Sequence, residues 1–126
     1  MIGNEAQAAR VTKLLSAASC ANTAAATSGW VAVAEFEGDI MFIENVGVVT
    51  GGTIDGKIQT ASDGSGTGAA DVAGATFTQA TTSTDERVEK VVVPASKLNT
   101  HVRYVGTIVT GPAVVGVEMV ARPKYF

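Results

Sequence analysis

The sequence has few of the residues that perform most protein chemistry. Its 126 residues include one cysteine, one histidine and one tryptophan. One cysteine cannot close a disulfide within the chain, and one cysteine with one histidine cannot supply the four ligands of a structural zinc site. A nucleophile needs a neighbouring base, and nothing else in the sequence supports a Cys20–His101 dyad. We therefore predict a protein that is not an enzyme, with no catalytic residues, no metal and no cofactor.

Charged residues are also scarce. They make up 17% of the chain and leave a net charge of −3, whereas soluble domains average roughly 25% charged residues. The nine lysines and arginines are scattered, so no basic patch is available to displace counterions from nucleic acid. Proteins that pack against other subunits tolerate a surface with so little charge, and the composition therefore favours assembly over nucleic-acid binding.

Long apolar runs are missing as well. The apolar stretches fall far short of the ~20 residues that cross a bilayer. Met1–Arg10 contains no apolar segment of the kind found in signal peptides. We expect no membrane partner, and a protein that is made in a reducing cytoplasm, where Cys20 forms no internal disulfide.

Alternating apolar and polar residues are abundant from Gly29 onward, and this pattern predicts strands. The predicted strands are Gly29–Phe36, Ile40–Val49, Thr53–Thr60, Thr76–Thr78, Arg87–Val93, Val102–Val109 and Val114–Val120. Turn residues at 37–39 and 50–52 separate the first three. Most connections are too short for parallel crossovers, so the sheets should be antiparallel. We predict an all-β, two-sheet sandwich over residues 29–126, jelly-roll-like rather than immunoglobulin-like.

The first 28 residues are ambiguous. Apolar residues in Ala6–Ala18 recur at the i, i+3, i+4 and i+7 spacing of an amphipathic helix. The same residues fit a strand near Val11–Ser16 that follows an extended arm, Met1–Arg10. We favour the arm and the strand, followed by a loop at Ser16–Ser28, where periodicity and bulky side chains are lacking.

Glycines mark two local features. Gly56 lies inside a predicted strand and indicates a bulge or a close approach of the backbone. Ala61–Gly74 is a glycine-rich loop with an Asp-Gly tip at 63–64. Its oxygen-bearing side chains superficially resemble a calcium site: Asp63, Ser65, Thr67 and Asp71. Glycines occupy several alternate ligand positions, and no phosphate-loop lysine follows, so we interpret the segment as turn chemistry.

The remaining polar and aromatic residues have ordinary structural explanations. Glu35 and Glu37 are predicted to share one strand face, and Glu86 and Glu89 form a second close pair. Acids this close on an edge strand protect against aggregation more often than they flank a sugar. Trp30 alternates with valines, which predicts a position in the core or at a subunit interface.

Four segments carry a resemblance to a known family: Glu37–Gly64, Ala70–Ser83, Val88–Gly111 and Val120–Phe126. Together they resemble the small capsid decoration, or cement, proteins of tailed bacteriophages. The same pattern is also similar to the sandwich cores of discoidin-type binding domains. The shared motifs are compositional rather than catalytic, and the first 28 residues lie outside them.

The resemblance implies a jelly-roll-like sandwich on the outer surface of an assembled virion capsid. Such a protein would be made in the host cytoplasm, form a homotrimer and contact the major capsid protein. Cations and aromatics suited to an interface lie towards the two ends of the chain: Arg10, Arg122, Lys124, Tyr125 and Phe126. The alternative is a carbohydrate- or host-surface-binding module on a virion appendage, which exposed aromatics beside a polar cleft would favour.

Overall fold

Buried and exposed side chains alternate along the strands, as a sheet with one face on a core requires. A computed structural model describes residues 9–124. On β3 (Phe36–Val49), Ile40, Phe42 and Val46 are at most 1% exposed, whereas Asn45 between them is exposed. The inward side chains of two packed sheets form the hydrophobic core.

The strands divide into two sheets. Sheet A has four strands in the order β1 (Arg10–Cys20), β9 (Ala113–Pro123), β3 and β7 (Arg87–Pro94). Sheet B has five: β2 (Val31–Ala32), β8 (His101–Thr110), β4 (Gly52–Ala61) and β5 (Ala70–Thr76) in order, with β6 (Ala80–Thr81) also paired to β4. A 3₁₀ turn at Ala95–Lys97 follows β7. No helix within residues 9–124 is long and apolar enough to cross a membrane.

The pairing of the strands is that of a jelly roll. Strand β1 pairs with β9, β2 with β8, β3 with β7, and β4 with β5, all antiparallel. The outermost strands in sequence are therefore partners, and each pair nests inside the one before it. Such nesting wraps the chain into two facing antiparallel sheets. The predicted antiparallel β-sandwich is confirmed.

The structure resolves the ambiguity at the start of the chain in favour of a strand. The helix considered for Ala6–Ala18 is wrong, because β1 pairs with β9 from Arg10 to Cys20. The predicted loop at Ser16–Ser28 begins only after Cys20. Two register shifts interrupt the side-chain alternation of β1. The second half of the strand therefore has no period-2 pattern by which it could be predicted. Of the predicted arm, Met1–Ala8 lies outside the described residues.

Four other predicted elements differ from the structure. Of the strand predicted at Thr76–Thr78, only Thr76 is in a strand, as the last residue of β5. Within the predicted strand Gly29–Phe36, only β2 and Phe36, the first residue of β3, are in strands, and a turn in which Phe36 N–H donates to Val33 O (3.1 Å) separates them. The turn predicted at 37–39 is part of β3, with Gly38 at φ +72° and a register shift beside it. The predicted loop Ala61–Gly74 is too long, because its residues from Ala70 onward belong to β5. In the last two cases pairing with another strand, β9 for residues 37–39 and β4 for β5, decided the local conformation.

The predicted close approach at Gly56 is confirmed. A Cβ on Gly56 would overlap Oε2 of Glu44, on β3, and would lie 2.5 Å from the hydroxyl of Tyr104, on β8. Its cross-strand partner is Gly106, where a Cβ would lie 3.0 Å from the Tyr104 ring. The paired glycines therefore make room for one tyrosine and one carboxylate between the sheets.

Adding a methyl group at this point should destabilise the fold. We expect Gly56→Ala to lower the free energy of unfolding by about 1–3 kcal/mol, because the new Cβ displaces Glu44 and Tyr104. Gly29→Ala is the matched control, since a Cβ there meets nothing within 4 Å. Urea unfolding measures both, and equal midpoints for the two variants would contradict the proposed crowding.

Candidate functional site

The residues with nucleophile or base chemistry each have separate local partners. Cys20 is buried, its Sγ lies 3.5 Å from Ala25 O, and burial raises the pKa of its thiol. His101 Nδ1 lies 2.9 Å from Thr100 Oγ1. Within residues 9–124, no hydrogen bond joins Cys20 to His101. The structure thus adds nothing in favour of a dyad.

The two acids of the glycine-rich segment make local structural contacts: Asp63 bonds within a turn, and Asp71 bonds to side chains of the neighbouring strand. Asp63 accepts hydrogen bonds from Ser65 N–H (2.9 Å) and Thr67 N–H (3.0 Å), and bonding by Thr67 and then Ser65 lowers its pKa. Asp71 lies on β5 and is bound by Gln59 (2.9 Å) and Lys57 (3.1 Å), which lower its pKa. Within the described part of the chain, no group of three or more His, Cys, Asp or Glu residues is placed to hold a metal ion.

The predicted acid pair Glu35 and Glu37 is divided between two cations. Glu35 lies in the turn before β3, so the predicted shared strand face is wrong. Its Oε1 lies 3.2 Å from Arg10 Nη1, whereas Glu37 Oε1 lies 4.0 Å from Arg122 Nε. All four side chains are about half exposed, so these ion pairs contribute little stability.

Three of the predicted interface residues meet at one end of sheet A. Arg10 and Arg122 make the ion pairs just described, and the exposed Lys124 donates its backbone N–H to Glu35 O (2.7 Å). Tyr125 and Phe126 lie outside the described residues. The structure therefore brings Arg10, near the start of the described residues, close to Arg122 and Lys124, and their role in an interface stays a prediction.

Trp30 is outside the core, contrary to one of its two predicted positions. It is half-buried beside sheet B, and the Arg103 guanidinium lies 4.6 Å from the centre of its ring. A Cβ on Gly66 would lie 2.9 Å from the indole nitrogen, so the glycine-rich loop packs against the ring as well. The alternation of Trp30 with valines suggested a core position, but it does not apply because most of Gly29–Phe36 is not a strand.

One buried carboxyl group, that of Glu44, was not predicted from the sequence. Glu44 lies on β3 between Phe42 and Val46 in the inward phase, and its side chain is 1% exposed. Its Oε2 accepts a 2.6 Å hydrogen bond from the Tyr104 hydroxyl of the opposite sheet. Its Oε1 lies 3.5 Å from Nη2 of Arg87 on β7. The sequence contains a signal for this burial, because Glu44 falls in the apolar phase of a strand, where side chains face the core.

The network around Glu44 continues to the surface through β7. Arg87 Nη1 lies 3.2 Å from Glu89 Oε1, and Arg87 also donates to the carbonyl of Thr78. Glu89 in turn accepts from Thr78 N–H (2.7 Å) and Thr78 Oγ1 (2.8 Å). The network ties the edge of sheet A to the segment that follows β5. Burial would raise the pKa of Glu89, but the bonds from Thr78 and Arg87 outweigh it and lower the pKa.

Burial dominates the electrostatics of Glu44. It raises the pKa of Glu44 to about 7, although the Tyr104 hydrogen bond and the Arg87 charge act in the opposite direction. Burial and the neighbouring Glu44 raise the pKa of Tyr104, so the phenol stays protonated as a donor. Among the described residues, Glu44 Oε1 and Arg87 Nε are buried without a hydrogen-bond partner. A carboxyl group held this way is incompletely solvated by the protein.

Removing the donor to Glu44 should destabilise the protein. We expect Tyr104→Phe to lower the free energy of unfolding by about 1–3 kcal/mol at pH 7, because the buried carboxyl group loses its hydrogen bond. Ser62→Ala serves as the control, since the Ser62 hydroxyl makes an exposed 3.0 Å hydrogen bond to Thr67 O. This substitution should lower the free energy of unfolding by less than about 0.5 kcal/mol. Thermal or urea unfolding of the two variants provides the comparison.

An apolar row crosses the outer face of sheet A. Cross-strand pairing aligns Val11 with Val120, Val120 with Met41, and Met41 with Val92, one residue from each strand. Val11 is 64% exposed and Val92 48% exposed. The solvent face of an antiparallel sheet is normally polar. An apolar row across all four strands instead indicates a contact surface.

Charges and a shallow groove border the apolar row. The next row pairs Lys13, Glu118, Ile43 and Lys90 across the same four strands. Beside it lies a groove of about 380 Å³ whose floor includes Gly116, where a Cβ would lie 2.9 Å from Ala17. An apolar centre with a charged margin is the usual composition of a protein interface.

Comparisons with known proteins identify the fold class. No protein-family model and no curated protein matches the sequence. The crystal structure of the SPBc2 prophage-derived protein YomS is similar with a TM-score of 0.52 at 12% identity, over 90% of this chain and 94% of that one. A structure of infectious bursal disease virus, Gx strain, has a TM-score of 0.48 at 15% identity over 94% of this chain, which spans 34% of the viral chain. The non-crystalline cellulose specific carbohydrate-binding module CBM28 has a TM-score of 0.47 at 8% identity, over 91% of this chain and 72% of that one. At such identities the likeness to YomS is one of fold.

Proposed function

We propose that this protein is a bacteriophage capsid decoration protein that binds the outer surface of the assembled capsid and stabilises it without catalysis. The outer face of sheet A is the contact surface. The observation that carries this proposal is the apolar row of Val11, Val120, Met41 and Val92 on a face that nothing in the fold requires to be apolar. The partner is the major capsid protein.

Adhesion of this kind stabilises a shell by mass action. A protein that binds the assembled lattice, and not its dissociated subunits, shifts the equilibrium towards the lattice. The low charge of the chain and the exposed valines of sheet A suit a permanent contact. The jelly roll supplies a rigid sheet for such a contact, so little conformational entropy is lost on binding.

Trimerisation would multiply the contact. Three copies that bind as one body gain avidity without any new contact per copy. Arg10, Arg122 and Lys124 cluster where the described chain begins and ends, beside the outer face of sheet A. We assign this cluster, with Tyr125 and Phe126, to the margin of the capsid or subunit contact.

A carbohydrate-binding role is supported less well. The outer face of sheet B carries a polar chain in which Arg103 donates to Gln59 (3.0 Å) and Gln59 donates to Asp71 (2.9 Å). Such side chains suit sugar hydroxyls. However, Arg103 lies over the ring of Trp30, the aromatic residue beside this face, and takes the position that a sugar would need for stacking.

Charges placed on the apolar row should abolish capsid binding and leave the fold intact. We expect the double variant Val11→Glu, Val92→Glu to bind capsids at least 100-fold more weakly, because two charges must be desolvated in the contact. Both side chains are about half exposed or more, so stability should change little. Co-sedimentation with capsids purified without this protein measures the binding.

Val109→Glu is the matched control for this experiment. Val109 is 57% exposed but lies on β8, in sheet B. Its substitution should leave capsid binding unchanged. Undiminished binding of the sheet A variant would refute the assigned face, and an absence of the protein from purified virions by mass spectrometry would refute the function itself.

The end of the chain offers a second test of the contact. We expect Tyr125→Ser, Phe126→Ser to weaken capsid binding about tenfold or more, because aromatic side chains supply much of the energy of interfaces. Lys97→Ser, on the 3₁₀ turn after β7, is a surface control. Equal affinities of the two variants would restrict the contact to the sheet face.

A further inference from the structure

We propose that Glu44, Arg87 and Tyr104 form a proton-linked lock between the two sheets, which holds them more firmly when Glu44 is protonated than when it is ionised. The lock joins three strands: β3 and β7 of sheet A, and β8 of sheet B. It is independent of the proposed capsid contact, because all three groups lie on the inner side of the sandwich or at its edge.

The geometry leaves an ionised Glu44 poorly compensated. An enclosed carboxylate normally accepts several hydrogen bonds, and an isolated charge in the interior is costly. Glu44 Oε2 accepts one, from Tyr104 at 2.6 Å. Oε1 is buried, makes no hydrogen bond within the described chain, and has the guanidinium of Arg87 at 3.5 Å.

The charges that face Glu44 do not balance its own. Arg87 is the cation that acts on it, and Arg87 is shared with Glu89 and with the carbonyl of Thr78. Glu89 on β7 and Asp55 on β4 both add negative charge. Ionised Glu44 therefore experiences two further negative charges and one positive charge.

The neighbours on the remaining sides are neutral. Tyr104 on β8 is a protonated donor, and burial raises the pKa of the Cys20 thiol at the end of β1, which keeps that thiol neutral. Neither offers a positive charge. Protonation of Glu44 removes one of these negative charges and leaves Arg87 to Glu89, so the neutral form suits the folded state.

The direction of the pH effect follows from the two states of the chain. The pKa of Glu44 is about 7 in the folded protein, against an ordinary value of 4.5. Between these values the folded state holds a proton that the unfolded state has lost, so stability from this group is full below pH 4.5 and falls as the pH rises to 7. Above that range the loss is complete and constant.

The proposal can be tested by direct titration. The side-chain carboxyl carbon of Glu44, observed by NMR in the isotope-labelled protein, should titrate with a midpoint between pH 6 and 8, against roughly 4.3 for an unperturbed glutamate. In Arg87→Gln the midpoint should move up by at least half a pH unit, because the guanidinium that lowers the pKa of Glu44 is gone. A wild-type midpoint below pH 5.5, or an unchanged midpoint in Arg87→Gln, overturns the proposal.

Unfolding equilibria provide the second readout. Glu44→Gln keeps an oxygen acceptor for Tyr104 but cannot ionise, and Glu118→Gln alters an exposed acid on β9. From pH 5 to pH 8 the unfolding equilibrium constant of the wild type and of Glu118→Gln should rise roughly 30- to 100-fold relative to that of Glu44→Gln. Parallel pH dependences of all three proteins overturn the lock, whether or not capsid binding is observed. If Glu44→Gln does not fold, the titration of the wild type decides.

Discussion

The polar network in the interior of the sandwich depends on the hydrogen bond between Tyr104 and Glu44. This bond crosses from sheet B to sheet A at 2.6 Å, and both groups are buried. Room for it exists because Gly56 and Gly106 face each other across β4 and β8. Arg87 then has to enter from the edge strand β7, which fixes where the polar network reaches the surface.

Much of the fold could be predicted from period-2 patterning, because five strands have regular alternation and turn residues at their ends. The failures share one cause. Gly29–Phe36 alternates but has only a two-residue partner on β8, and the second half of β1 does not alternate but pairs with β9. Pairing depends on residues far apart in sequence. Local periodicity therefore could not show that most of Gly29–Phe36 is not a strand, nor that β1 continues to Cys20.

The polar network was predictable only in part. The position of Glu44 in the inward phase of β3 implies a buried acid from the sequence alone. Its partners do not follow from sequence, since Tyr104 lies 60 residues away and Arg87 is on a strand that pairs with β3 only in the folded sheet. The close approach at Gly56 was predicted, but its cause, the side chains of Glu44 and Tyr104, was visible only in the structure.

The two roles proposed for β3 are separable because its side chains alternate. Met41 and Ile43 point outward into the face assigned to capsid binding, whereas Phe42 and Glu44 point inward. A jelly roll by itself implies no particular function, because unrelated activities share the fold. What distinguishes this chain is the chemistry at alternate positions of the same strands: an apolar row outside, and a carboxyl group that binds a proton near neutral pH inside. A change in the outer row should alter binding at constant stability, and a change in the inner network should alter stability at constant binding. The physical separation of these two faces, only one residue apart in sequence, is what makes each proposal testable without disturbing the other.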